Sequence, residues 1–177
     1  MKKIGVLFLM VFLAIVGLPA LITSLFGTGQ IENKIAEQPI KENVKKIKVL
    51  DEQAQKVLEM EFEEYLKGVL AAEMPASFEI EALKAQAVAA RTYAMKKMKQ
   101  KNYEELKGAD ISTDPSKGQA YLSIDELKKR WGENFYTYYD KITKAVEDTK
   151  DQIMIYEEEP IEAVFHSTSA GITQSAK

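Results

Sequence analysis

Residues 57–73 read Val57-Leu-Glu-Met-Glu-Phe-Glu-Glu-Tyr-Leu-Lys-Gly-Val-Leu-Ala-Ala-Glu73, and the spacing of the apolar residues changes partway through them. Leu58, Met60 and Phe62 alternate with Glu59 and Glu61, the period of two expected of a half-buried strand. From Glu63 the period lengthens: Leu66, Val69, Leu70 and Glu73 recur at i, i+3, i+4 and i+7, which places the Glu73 carboxylate on the apolar face of a helix. Pro75 closes that helix. Just upstream, Ile47-Lys48-Val49-Leu50 reads as a partner strand across the polar turn Asp51 to Gln55.

Downstream, Ser77 is the expected N-cap of a long helix. Glu79 and Glu81 fall in its first turn and Lys96, Lys97 and Lys99 in its last, matching the helix dipole at both ends. Its Ala-rich middle, with small side chains at Ala82, Ala85, Ala89 and Ala90, allows close approach of another backbone and predicts a central helix. Asp110 to Tyr121 is full of turn formers and reads as a loop with a short extended end. Ser123-Ile124-Asp125-Glu126 has the capping-box pattern that opens a third helix, stopped by Gly132. Tyr139, Ile142 and Val146 mark a fourth helix running through Lys150. Gln152–Tyr156 and Ile161–Phe165, separated by Glu157-Glu158-Glu159-Pro160, read as a strand pair. The fold class is α+β, with strands and helices segregated rather than alternating.

Ile4 to Phe26 contains no charged residue and is long enough to cross a bilayer at ~1.5 Å per residue. A cleaved signal peptide has a shorter apolar core and a small-x-small site, which is not evident near Phe26, so residues 1–27 are expected to be an uncleaved signal-anchor. Lys2 and Lys3 precede the run and no cation follows until Lys34, so a single pass with the N-terminus cytoplasmic and the rest extracytoplasmic is expected. Residues 28–44 read as a polar tether and 45–177 as the folded domain.

The 177 residues carry 24 Lys plus Arg, 27 Asp plus Glu, one His and no Cys. Without Cys there are no disulfides, thiolate nucleophiles or Cys-ligated metals, and neither a metal nor another cofactor is implied. The net charge of −3 provides no basic stripe, so no nucleic-acid partner is expected.

Glu73 is the sharpest chemical candidate. A carboxylate on an apolar helix face loses solvation, which favours its protonated form and suits it to general acid catalysis. The alternative is a helix-end Glu that bonds a backbone N–H or snorkels to water. For Arg91, within the Ala-rich helix, an exposed or salt-bridged helix residue is as good a reading as a functional one. His166, Ser167 and Ser169 do not make a hydrolase triad, because neighbouring side chains on extended backbone face opposite ways. A Ser/Thr/Gly segment there fits a hydrogen-bonding rim for a polyol ligand, or a turn.

The run Gly68-Val-Leu-Ala-Ala-Glu73-Met-Pro-Ala-Ser-Phe78, followed by Glu81-Ala-Leu-Lys-Ala-Gln-Ala-Val-Ala-Ala-Arg91-Thr-Tyr-Ala94, resembles the stage II sporulation protein D and amidase-enhancer domain family. Asp110-Ile111, Gln119-Ala120-Tyr121 and Phe165-His166-Ser167-Thr168-Ser169-Ala170-Gly171 agree with it, so that the resemblance covers residues 58 to 177. It implies a lytic transglycosylase that cuts the β-1,4 bond between N-acetylmuramic acid and N-acetylglucosamine in stem-peptide-free strands and leaves 1,6-anhydro ends. The family's catalytic Glu falls on Glu73 and its functional Arg on Arg91. Arg91 is thereby implied to hold the lactyl carboxylate, an acetamido carbonyl or Glu73 itself. Gln119, Tyr121, His166, Ser167, Ser169 and Gly171 are implied to line the glycan groove.

Some family members carry paired Cys with a His for zinc. Ser112 and Gly118 stand at those positions here, so no zinc site is expected. The resemblance also implies a domain continuing past Lys177, an engulfing mother-cell membrane as location, and stage II sporulation proteins P and M as partners beside the glycan. Two other classes of function remain open: a non-catalytic peptidoglycan-binding enhancer of a cell-wall amidase, and a structural tether between membrane and wall.

Overall fold

The computed structural model describes residues 44–100 and 104–165. The expected membrane segment at 4–26, tether residues 28–43, and His166, Ser167, Ser169 and Gly171 lie outside them. Among the described residues no helix is long and apolar enough to cross a membrane.

Strands β1 (Lys46–Asp51) and β2 (Lys56–Glu61) form an antiparallel pair in which Val49 faces Leu58 and Lys46 faces Glu61. The polar turn closes as expected, with the Asp51 carboxylate accepting from the backbone N–H groups of Gln53 and Ala54. A third short strand, β3 (Ile111–Ser112), runs parallel to β1 on its other edge, so the sheet order is β2-β1-β3. Ile47 and Val49 alternate into the main core, whereas Leu50 turns to the opposite face and is covered by Leu106 and Ala109.

Helix α1 (Phe62–Glu73) follows β2 with no intervening loop, and Phe62 is already its first residue rather than the last of the strand. Leu66, Val69 and Leu70 are fully buried, as their spacing requires. Helix α2 (Ile80–Gln100) contacts α1, β3 and a later helix over Phe135–Asp148, and is the central helix expected. Two details of its reading are corrected. Its first hydrogen bonds run to the carbonyl of Glu79, and Ser77 sits in the preceding Pro75–Phe78 turn instead of capping it. The proline-started turn uses Ser77 before the helix begins. The buried residues are Leu83, Ala87, Ala90, Arg91, Thr92, Ala94 and Met95, while Ala85 is exposed. An Ala-rich helix presents small residues on every side, so their presence alone did not select the face.

Ser123 and Glu126 form the reciprocal capping box at the start of α3 (Ile124–Trp131), and Gly132 ends the helix at a φ of 51°. A single 3₁₀ turn leads into α4 (Phe135–Asp148), which ends two residues before the expected Lys150. The last strand pair is tighter than expected: β4 (Ile155–Tyr156) pairs antiparallel with β5 (Glu159–Pro160) around a two-residue turn. Glu157 and Glu158 both have positive φ, the conformation whose twist matches a two-residue hairpin. Pro160 therefore belongs to the second strand and not to the turn.

The loop after β3 folds back until Gly118 lies against the β3 backbone. A Cβ there would meet the Ser112 carbonyl oxygen at 2.0 Å, and the Gly118 N–H donates to the Asp114 carbonyl at 2.7 Å. Since backbone blocks the space, Gly118→Ala is expected to destabilise the domain by about 1–3 kcal/mol, read as a lower urea midpoint. An unchanged midpoint would mean that the loop has room to move.

Candidate functional site

Glu73 is the last residue of α1, and Pro75 two residues later prevents the helix from extending. Its carboxylate is half-buried, and its Oε1 accepts from the backbone N–H of Ala120 at 3.1 Å. Among the described residues its Oε2 has no such partner. Of the two sequence readings of Glu73, the bond to a backbone N–H is the one present, and it engages a single carboxylate oxygen.

The segment that supplies this N–H lies along α1. From Ala120 it runs back towards Gly68, whose carbonyl accepts from the Leu122 N–H at 3.3 Å. Gly68 makes this approach possible, because a Cβ at that position would fall 2.3 Å from the Tyr121 ring and 2.7 Å from the Leu122 carbonyl. Tyr121 stacks on Tyr65, with ring centroids 5.8 Å apart and planes 10° from parallel. The Tyr65 hydroxyl donates to Gln119 Oε1 at 3.2 Å, and Gln119 Nε2 donates to the Ala90 carbonyl of α2 at 3.3 Å. Burial pushes the Tyr65 phenol well above its ordinary range and raises that of Tyr121, so both are protonated donors near neutral pH.

This geometry sorts the residues that the sequence singled out. Glu73 and Tyr121 are brought to the same stretch of α1 and both retain exposed surface. Gln119 is only 3 % exposed, and both ends of its amide are engaged within the protein, so it acts as a strut between α1 and α2 and not as a groove-lining residue.

Arg91 takes the salt-bridged form of its sequence reading, and its burial departs from the contact with glycan or with Glu73 that the resemblance implied. It is 1 % exposed and pairs with Glu63 Oε2 at 2.9 Å. Its other bonds go to the end of α4 and just past it: to the Thr149 carbonyl at 2.7 Å, Thr149 Oγ1 at 3.3 Å, the Val146 carbonyl at 3.1 Å and the Gln152 carbonyl at 3.5 Å. A cation at a helix C-terminus satisfies carbonyls that the helix leaves open and complements its dipole. Glu63 stands ten residues before Glu73 on α1, about 15 Å along the helix at ~1.5 Å per residue. Arg91 and Glu73 therefore sit at opposite ends of α1. The cavity beside Arg91 is about 20 Å³, room for a water and not for a sugar.

Two contributors carried no signal at the sequence level. The Ala120 N–H is a backbone donor, which no side-chain pattern reveals. Arg130, in the last turn of α3, reaches the α1 carbonyl of Ala71 at 3.4 Å, a contact across helices distant in sequence.

The chain matches the family described as Stage II sporulation protein over residues 50–156. It is 46% identical over 123 residues to Stage II sporulation protein D of Bacillus subtilis (strain 168), covering 70% of this chain and 36% of that protein. It is 40% identical over 146 residues to Stage II sporulation protein D of Bacillus amyloliquefaciens, covering 82% of this chain and 42% of that one. The Amidase enhancer of Bacillus subtilis (strain 168) is 35% identical over 111 residues, 63% of this chain and 13% of that protein. The chain thus spans about two fifths of the length of the sporulation relatives it matches. With the matched block running from β1 through the α1–α2 core to β4, and with Glu73, Ala120 and Tyr121 inside it, the chain belongs to the stage II sporulation protein family.

Proposed function

We propose that the protein containing this chain is a peptidoglycan lytic transglycosylase, anchored in the membrane through residues 4–26, with Glu73 as its acid and base. The supporting observation is the state of Glu73: a half-buried carboxylate held at one oxygen by the Ala120 N–H, with the other oxygen unengaged among the described residues. An ordinary glycosidase divides its chemistry between two carboxylates. In a transglycosylase a single one suffices. Protonated Glu73 gives its proton to the glycosidic oxygen as that bond breaks, and the resulting carboxylate then takes the proton of the muramoyl 6-hydroxyl as its oxygen bonds the anomeric carbon. The nucleophile belongs to the substrate, so its attack is intramolecular and no activated water is required.

The setting that goes with this reading is the cell wall of a sporulating cell during engulfment, with glycan strands as substrate and stage II sporulation proteins P and M as partners. A second reading, a non-catalytic enhancer of a cell-wall amidase, is favoured by the 35% identity to the Amidase enhancer. Mass spectrometry of stem-peptide-free glycan incubated with the whole protein separates the two. Anhydro-ended fragments are the expected result. Reducing ends would indicate a hydrolase, and no fragments from folded protein would favour the enhancer.

A further inference from the structure

A second surface feature shares the last turn of α1 with Glu73. Ala71, Met74 and Pro75 form one side of a cavity of about 160 Å³, Ala76 and Ser77 continue it, and Arg130, Trp131 and Tyr138 close the other side. Met74, the extended residue that directly follows Glu73 where the helix ends, lines the cavity, so cavity and carboxylate adjoin along the chain. The volume is below the ~300–1,000 Å³ usual for larger ligands and suits a single saccharide ring.

The lining has the mixed character that such a ring needs. Trp131 is set edge-on to Tyr138, with centroids 5.7 Å apart and planes at 78°, and is further supported by Phe135 at 6.3 Å. These aromatic groups provide apolar surface for the C–H face of a sugar, and Ser77 is exposed for hydrogen bonding. Arg130 stands out. Among the described residues it forms no ion pair, and its one hydrogen bond is the long contact to the Ala71 carbonyl at 3.4 Å. Lys128, two residues earlier, is by contrast paired with Asp125 at 3.7 Å. A guanidinium fork with most of its donors uncommitted, at the wall of a ring-sized cavity, suits a carboxylate. The surrounding chain is net negative, so attraction for an anion has to be local to this position.

We infer that the Arg130–Trp131–Tyr138 cavity is a saccharide subsite that selects a ring bearing a free carboxylate. The inference rests on the glycan-cleaving reading above. In a wall strand the ring concerned is a muramoyl residue whose lactyl group has lost its stem peptide, since an attached peptide converts that carboxylate into a neutral amide. Arg130 would then distinguish stripped from unstripped strands, a task for which Arg91 is buried in the wrong place.

The test is calorimetric. The whole protein carrying Glu73→Gln, which prevents turnover, is titrated with a stem-peptide-free muramoyl tetrasaccharide and with the same oligosaccharide whose lactyl carboxylates have been converted to amides. The free acid is expected to bind about tenfold more tightly, the value of one charge-assisted hydrogen-bonded pair. Adding Arg130→Ala is expected to bring the ratio close to one, and Arg130→Lys to leave an intermediate ratio because the charge remains but the fork does not. Equal binding of the two oligosaccharides, or a preference that survives Arg130→Ala, would overturn the subsite while leaving the glycan reading in place. Failure of the folded protein to bind either one would remove the glycan reading and the subsite together.

Discussion

Replacing Glu73 with Gln is expected to lower the release of anhydro-ended glycan by about 10²–10⁴-fold, the usual contribution of a positioned acid–base group. The substitution is nearly isosteric, and Gln keeps a carbonyl oxygen in place of Oε1 that can still accept from the Ala120 N–H. What it loses is the ability to give up a proton and take it back, the two acts the proposed reaction asks of this side chain. Because the site is half-exposed and the anchoring bond survives, the melting temperature should shift by no more than roughly 2 °C. Turnover would be followed by mass spectrometry of sugar ends and stability by circular dichroism on the same preparations. Undiminished release would exclude Glu73 as the acid. A large loss of stability would instead assign it a structural role at the end of α1.

Arg91→Ala is expected to act on the fold and not on the chemistry. The side chain is 1 % exposed and joins Glu63 on α1 to the carbonyls of Val146 and Thr149 at the end of α4. Its removal takes the guanidinium donors from those carbonyls, leaving Val146, among the described residues, only the 3.3 Å bond from the Thr149 hydroxyl, and leaves Glu63 without its cation. Breaking a buried pair from one side typically costs about 3–5 kcal/mol, here roughly 10 °C or more of melting temperature. Arg91→Lys should recover only part of this, since a single ammonium cannot span Glu63 and two helix-end carbonyls as a planar guanidinium does. Any activity lost in the variant should track the fraction unfolded and return on cooling. If Arg91→Ala melted like the wild type but no longer cleaved glycan, Arg91 would belong in the groove after all.

Much of the fold was legible because its elements obey local rules. The switch of apolar period at Phe62 and Glu63, the Ser123–Glu126 capping box and the Gly132 stop all depend on interactions within a few residues, and all three recur in the structure. The errors fell where local rules compete. Ser77 is a good capping residue, but the Pro75 turn engages that stretch first and the helix starts from Glu79. Glu157 and Glu158 are ordinary strand or turn residues, yet hairpin closure holds both at positive φ and draws Pro160 into the strand.

The site divides along the same line. Sequence by itself determined that the domain is α+β, that Glu73 ends an apolar helix face, and to which family the chain belongs, because periodicity and motif identity are one-dimensional properties. Only the tertiary structure decided what surrounds Glu73. The Ala120 N–H reaches it from 47 residues away, Arg91 is drawn to the end of α4 by a contact 58 residues away, and Arg130 arrives beside α1 across 59. Such pairings follow from how buried helices stack and from which helix-end carbonyls need donors. Neither condition exists until the chain has packed.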